Sequence, residues 1–117
     1  MDIIYKNERD RKLLNDHGAL VRKFGKSMAD AIINRQQQLF VSSNLFVFSK
    51  LPQTRCHSLT GDRDGELAAD LIHPFRLVFA PDDNPLPETP DGGLDWTRVT
   101  TVKILRVEDY HGKRKKK

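Results

Sequence analysis

Apolar residues along this chain keep two different rhythms, and the change falls at Pro52. Before it they recur every three or four positions, the spacing of a helix with one buried face; after it they alternate, the spacing of a strand. Ile3-Ile4-Tyr5 predicts a short strand ahead of the helices. Asn7 is a capping residue followed by Glu8 and Asp10, acids placed where a helix N-terminus favours them, so a helix is expected from Glu8 to Asp16. Gly18 is expected to end it and open a helical hairpin. From Ala19 to Val41, one stripe of Val21, Phe24, Met28, Ala31, Ile32 and Leu39 predicts a single long amphipathic helix. Its other face carries Arg22, Lys23 and Lys26, either a solvated surface or a set of RNA contacts. Asn44 then caps a short helical turn over Leu45 to Ser49, which Pro52 keeps from continuing.

Beyond Pro52, strands are predicted from Arg55 to Leu59, from Glu66 to Ile72 and from Phe75 to Ala80. The first two are joined by the turn Gly61-Asp62-Arg63-Asp64-Gly65, the last two by His73-Pro74. In the third strand Phe75, Leu77 and Phe79 share one face, Arg76 and Val78 the other. Pro81 to Asp95, with four prolines and two glycines, reads as a long surface excursion. A last strand rich in β-branched residues starts at Trp96 or Arg98 and runs to Tyr110. Helices followed by hairpin-linked strands predict an α+β domain, with an N-terminal helical hairpin on one face of a small, twisted, mainly antiparallel sheet. The opposite face is then free to hold a site.

Length and composition leave room for one soluble domain, assigned to residues 1–111, with 112–117 as a basic tail expected to be disordered. The net charge of +4 belongs to that tail: without Lys113 to Lys117 the body holds fifteen basic against sixteen acidic residues, a charge of −1. A polybasic tail adds salt-sensitive affinity for RNA without making the fold itself basic. The acidic N-terminus does not look like a secretion signal, and the longest apolar runs, such as Leu45 to Phe48, are too short to span a bilayer. A single cysteine, Cys56, excludes an internal disulfide and fits a reducing compartment.

The chemistry-bearing residues cluster in the strand half. Asp109-Tyr110-His111 places an acid, a phenol and an imidazole at the end of the last strand; His57 and Arg76 lie upstream. RNA carries its own nucleophile, the 2′-hydroxyl, so cleavage needs only a base, an acid and a cation for the phosphorane, with no metal. Imidazoles suit the proton transfers and a fork-shaped arginine suits the phosphorane. A zinc site is disfavoured, because Cys56-His57 with isolated His17, His73 and His111 matches no compact ligand spacing.

The order of these motifs resembles the HigB branch of the RelE/ParE superfamily of bacterial toxins. The likeness rests on His57-x-Leu59-x-Gly61-Asp62-Arg63-x-Gly65, then Phe75-Arg76-Leu77-Val78-Phe79, then Asp109-Tyr110-His111. It implies a ribosome-dependent mRNA endoribonuclease of the bacterial cytoplasm, without cofactor, neutralised by a helix-turn-helix antitoxin and touching operator DNA only through the antitoxin complex. The implied catalytic set is His57, Arg76, Asp109, Tyr110 and His111. Thr60 and Arg63 join Arg22, Lys23 and Lys26 as the expected RNA contacts. Two positions depart from the branch: Ser58 replaces a proline, and Thr60 replaces a lysine that would have faced the phosphate. Two other readings stay open, a gyrase-inhibiting toxin of the same superfamily and a toxin-shaped binding protein of impaired activity.

Overall fold

Asn7 caps the first helix as its chemistry demands, its side chain accepting from the Asp10 amide at 2.8 Å. The structure, a computed structural model, describes residues 1–109; the expected tail and the last two residues of the Asp-Tyr-His motif lie outside them. Strand β1 (Asp2–Tyr5) leads into helix α1 (Glu8–Leu14). The chain is helical again over α2 (His17–Phe24), α3 (Lys26–Val41) and α4 (Leu45–Ser49). Asn44 caps α4 through the Val47 amide at 2.9 Å.

The single helix expected from Ala19 to Val41 is two, and the break is not at Gly18. Asp16 accepts from the Ala19 amide at 3.0 Å and so starts α2 at His17, which puts Gly18 inside the first turn. Gly25 ends α2 at φ +88°, a conformation that side-chain-bearing residues rarely adopt, and α3 sets off in a new direction. The packed helical hairpin is therefore α2 with α3.

The strands are β2 (His57–Ser58), β3 (Leu67–Asp70), β4 (Phe75–Pro81) and β5 (Thr101–Asp109). β2 is shorter than predicted because Gln53 and Arg55 take positive φ, 72° and 43°, which removes Arg55 from extended geometry. β5 starts later than predicted because Asp95 caps a 3₁₀ turn over Trp96–Arg98, accepting from the Thr97 amide at 3.1 Å. The five strands form one sheet in the order β1-β5-β4-β3-β2. β1 runs parallel to β5 and every other pair is antiparallel, so the sheet is mixed. The α+β class holds.

The core lies between the helices and one sheet face. Leu20, Ile32, Leu39, Leu45 and Phe48 from the helical layer meet Leu77, Phe79, Val102 and Ile104 from the sheet, all fully buried. Phe48 and Phe79 meet edge to face at 6.0 Å between ring centroids, tying α4 to β4. Buried Gln36 bridges three elements: its amide donates to the Leu14 carbonyl at 2.8 Å and its oxygen accepts from the Tyr5 hydroxyl at 2.7 Å. The 81–95 excursion is held to the start of β5 by Asp83, which accepts from the amides of Thr100 and Thr101 at 3.1 Å. Among the described residues no helix is long and apolar enough to cross a membrane.

Candidate functional site

The sheet face turned away from the helices is charged, and a β-bulge makes it so. Up to Ile104, the even-numbered residues of β5 face the core: Val102 and Ile104 are fully buried beside Ile3 and Tyr5 of β1. The register with β4 then slips, Phe79 pairing with Ile104 but Val78 with Arg106. One extra residue on β5 inverts the alternation, so Val107 packs toward the core while Arg106 and Glu108 turn outward beside Val78 and Arg76. On β3, Asp70 stands directly opposite Arg76 and Ala68 opposite Val78; His57 of β2 stands opposite Ala68. His57, Asp70, Arg76, Arg106 and Glu108 therefore share one face.

Three arginines on this face are knitted to two glutamates. Arg76, with only 11% of its side chain exposed, donates from Nε and Nη2 to Glu108 Oε2 at 2.9 and 2.6 Å. Arg63 donates to Glu108 Oε1 and reaches Glu66 Oε1 at 3.4 Å. Arg106 donates to Glu66 at 2.6 Å and to Glu108 at 3.2 Å. The hydrogen bond from Arg106 holds the Glu66 carboxyl below the ordinary carboxylate range. Burial pushes the Glu108 carboxyl up, but bonds from Arg76 and Arg106 outweigh it and the net shift is downward. Both acids are thus ionised at neutral pH, and the cluster keeps one positive charge in excess.

Beside this network lies a cavity of about 470 Å³ lined by Arg55, His57, Asp70, Leu71, His73, Pro74, Phe75 and Arg76. A smaller one of about 260 Å³ is lined by His57, Ser58, Leu59, Thr60, Arg63 and Arg76. His57 and Arg76 line both, so an imidazole and a guanidinium predicted from distant segments stand together. His57 Nδ1 lies 2.8 Å from the Arg55 carbonyl. A carbonyl only accepts, so Nδ1 carries hydrogen and Nε2 is the ring atom left for chemistry. Arg55 itself pairs with Asp70 at 3.1 Å. On the far side of Asp70, buried Arg35 of α3 donates to its backbone carbonyl at 2.7 Å, which fixes the end of β3.

Thr60 and Arg63 line the smaller cavity with His57 and Arg76. Asp109 ends β5 opposite Phe75 and is exposed, next to the cavity wall that Phe75 supplies. Tyr110 and His111 lie outside the described residues. Arg22, Lys23 and Lys26 line neither of the cavities that His57 and Arg76 share. Lys26 pairs instead with Asp30 at 2.7 Å, and Lys23 lies over the Phe24 ring. Among the described residues no three His, Cys, Asp or Glu side chains converge as metal ligands would.

Cys56, next to His57 in sequence, is no ready nucleophile, because burial pushes its thiol up to about 12. Since an ordinary cysteine titrates near 8.5, its thiolate fraction at pH 8 is lowered roughly 10³-fold. Alkylation at pH 8 is accordingly expected to be slow in the folded protein and fast after denaturation. Equal rates in the two states would show the thiol to be accessible and ordinary.

Sequence reading missed Glu108, Arg106, Glu66, Arg55 and Asp70 as parts of this site. The spacing of Glu66, Ala68 and Asp70 could have signalled two of them, since alternate residues on a strand share a face. Comparison with models of known protein families gives no match, and neither does comparison with curated proteins.

Proposed function

We propose that this protein is a HigB-like toxin, an endoribonuclease that cuts mRNA on the ribosome without a metal ion. The observation that carries this reading is the placing of His57 beside Arg76 on an open, charged sheet face, with a cavity in the size range of small-ligand sites, about 300–1,000 Å³. An imidazole and a fixed fork of positive charge are the two elements that attack by a 2′-hydroxyl needs most. The motif order supplies the family, and the α+β layering with its free sheet face suits a RelE-like fold. Asp109, Tyr110 and His111 belong to the same catalytic set by their place in the motif.

Thr60, where the branch has a lysine, leaves Arg63 and Arg76 as the cations lining the smaller cavity among the described residues. Because Arg63 and Arg76 both hold Glu108, substrate phosphate has to compete with a carboxylate for them. Cleavage is therefore expected to be slower than in a member that keeps the lysine. A helix-turn-helix antitoxin is the expected protein partner, and the cytoplasm the expected place of action.

The deciding measurement is a reconstituted translation reaction with a defined mRNA. Cuts that require both the ribosome and this protein are expected, leaving a 2′,3′-cyclic phosphate and a 5′-hydroxyl as attack by the 2′-hydroxyl does. Blocked DNA supercoiling without RNA cuts would replace the proposal with gyrase inhibition; neither effect would leave a toxin-shaped binding protein.

A further inference from the structure

The larger cavity holds a second imidazole that the motif does not include. His73 sits in the β3–β4 turn, closed by Leu71 N donating to the Phe75 carbonyl at 3.0 Å and Phe75 N to that of Ile72 at 2.8 Å. Its ring is exposed and lines the same cavity as His57 and Arg76. We propose that His73 is a further catalytic residue, the general acid that delivers a proton to the leaving oxygen opposite His57. This rests on the endoribonuclease reading above.

Elimination within the cavity wall supports the assignment. His57 has its Nδ1 hydrogen committed to the Arg55 carbonyl, which leaves Nε2 to act as base. Arg55 and Arg76 are permanently charged and give up no proton. Asp70 is engaged by Arg55 in an ion pair at 3.1 Å. Leu71, Pro74 and Phe75 have no side-chain proton to offer. Among the described residues lining this cavity, His73 is the remaining side chain whose ring nitrogens can both give and take a proton.

In the reaction, His57 Nε2 takes the proton of the 2′-hydroxyl as the 2′-oxygen bonds to phosphorus. The bond from phosphorus to the 5′-oxygen breaks, and His73 gives that oxygen its proton. The products are a 2′,3′-cyclic phosphate and a 5′-hydroxyl, and the two rings exchange protonation with solvent before the next turnover. Arg76 from β4, Arg55 ahead of β2 and Asp70 from β3 line this cavity together with His73; Asp30 and Arg35 of α3 line the adjoining one, which shares Arg55 and Asp70.

The test is cleavage by the full chain in the reconstituted reaction, with His73→Gln, His73→Asn, His57→Ala and His111→Gln side by side. Loss of a positioned acid lowers the rate roughly 10²- to 10⁴-fold. The His73 variants are expected to lose that much, to lose the alkaline limb of the pH–rate profile, and to bind an uncleavable 2′-deoxy substrate as the parent does. A substrate with sulfur at the 5′ bridging position needs no proton on its leaving group. It is expected to restore the His73 variants and not His57→Ala. Should neither His73 variant fold, ring resonances of the unsubstituted protein decide, since the 2′-deoxy substrate must shift those of His73. A parent that cleaves while His73→Gln keeps its full rate, or while sulfur rescues only His111→Gln, overturns the role of His73 and spares the nuclease reading. A parent that never cleaves overturns both.

Discussion

Arg76→Ala is expected to lower ribosome-dependent mRNA cleavage ~10²–10³-fold, the usual cost of removing one donor aimed at developing negative charge. The side chain is nine-tenths buried, lines both cavities that His57 lines, and is aimed by two hydrogen bonds to Glu108. A cation held this way gives a phosphorane preorganised charge that bulk water does not. Arg76→Lys keeps the charge and loses the fork, so it is expected to recover only part of the rate. Single-turnover cleavage with saturating protein separates this effect from weaker binding. An Arg76→Ala protein that folds and cuts at the parent rate would remove Arg76 from the site.

Glu108→Ala is expected to destabilise the fold by about 3–5 kcal/mol, because it strips the shared partner from a cluster of mostly buried arginines. Glu108 accepts from Arg63, Arg76 and Arg106 together, with 11% of its side chain exposed. Exposed pairs elsewhere, such as Lys26 with Asp30, are screened by solvent and add little by comparison. Urea unfolding at pH 7 measures the difference, and a loss below about 1 kcal/mol would place Glu108 with those surface pairs. Acid gives an independent check. Glu66 and Glu108 both have lowered folded-state pKa values, so their contribution is fully present above the unfolded value of about 4.3 and disappears as pH falls through the folded values. In that window the unfolded chain binds protons that the folded one refuses. Stability of the parent should fall steeply below pH ~4.3, and that of Glu108→Ala less steeply.

Loosening Glu108 also frees cations for RNA, so the same substitution is expected to strengthen binding of an uncleavable oligonucleotide while weakening the fold. That opposition between a stable network and an available charge is common where a binding face is built from ion pairs. It gives Thr60 a physical consequence as well. Without a lysine at that position, the charge offered to a phosphate comes from arginines already engaged.

How much was legible in the sequence depended on whether the deciding interaction was local. Caps are local: Asn7 and Asn44 each bond an amide three residues on, so α1 and α4 begin where their residue types predict. Turn chemistry is nearly as local, and Gly65 at φ +88° closes the predicted turn before β3. The helix break was misplaced between two glycines: both allow an unusual backbone, but Asp16 caps α2 ahead of Gly18, and of the two it is Gly25 that takes a positive φ. Strand ends were misplaced where Arg55 and Asp95 obey neighbours outside the strand pattern.

By itself the sequence determined the α+β class, the helical layer on one sheet face, and the chemical types at His57 and Arg76. Those follow from periodicity and from side-chain identity, which need no partner. Tertiary structure alone decided that Glu108 and Arg106 face the site. Strict alternation puts them on the same side as Val102 and Ile104, in the core, and only the extra residue opposite Val78 and Phe79 turns them out. A bulge forms where two strands with mismatched apolar patterns must both bury their large side chains. That mismatch exists only once β4 and β5, separated by the long excursion between them, lie side by side.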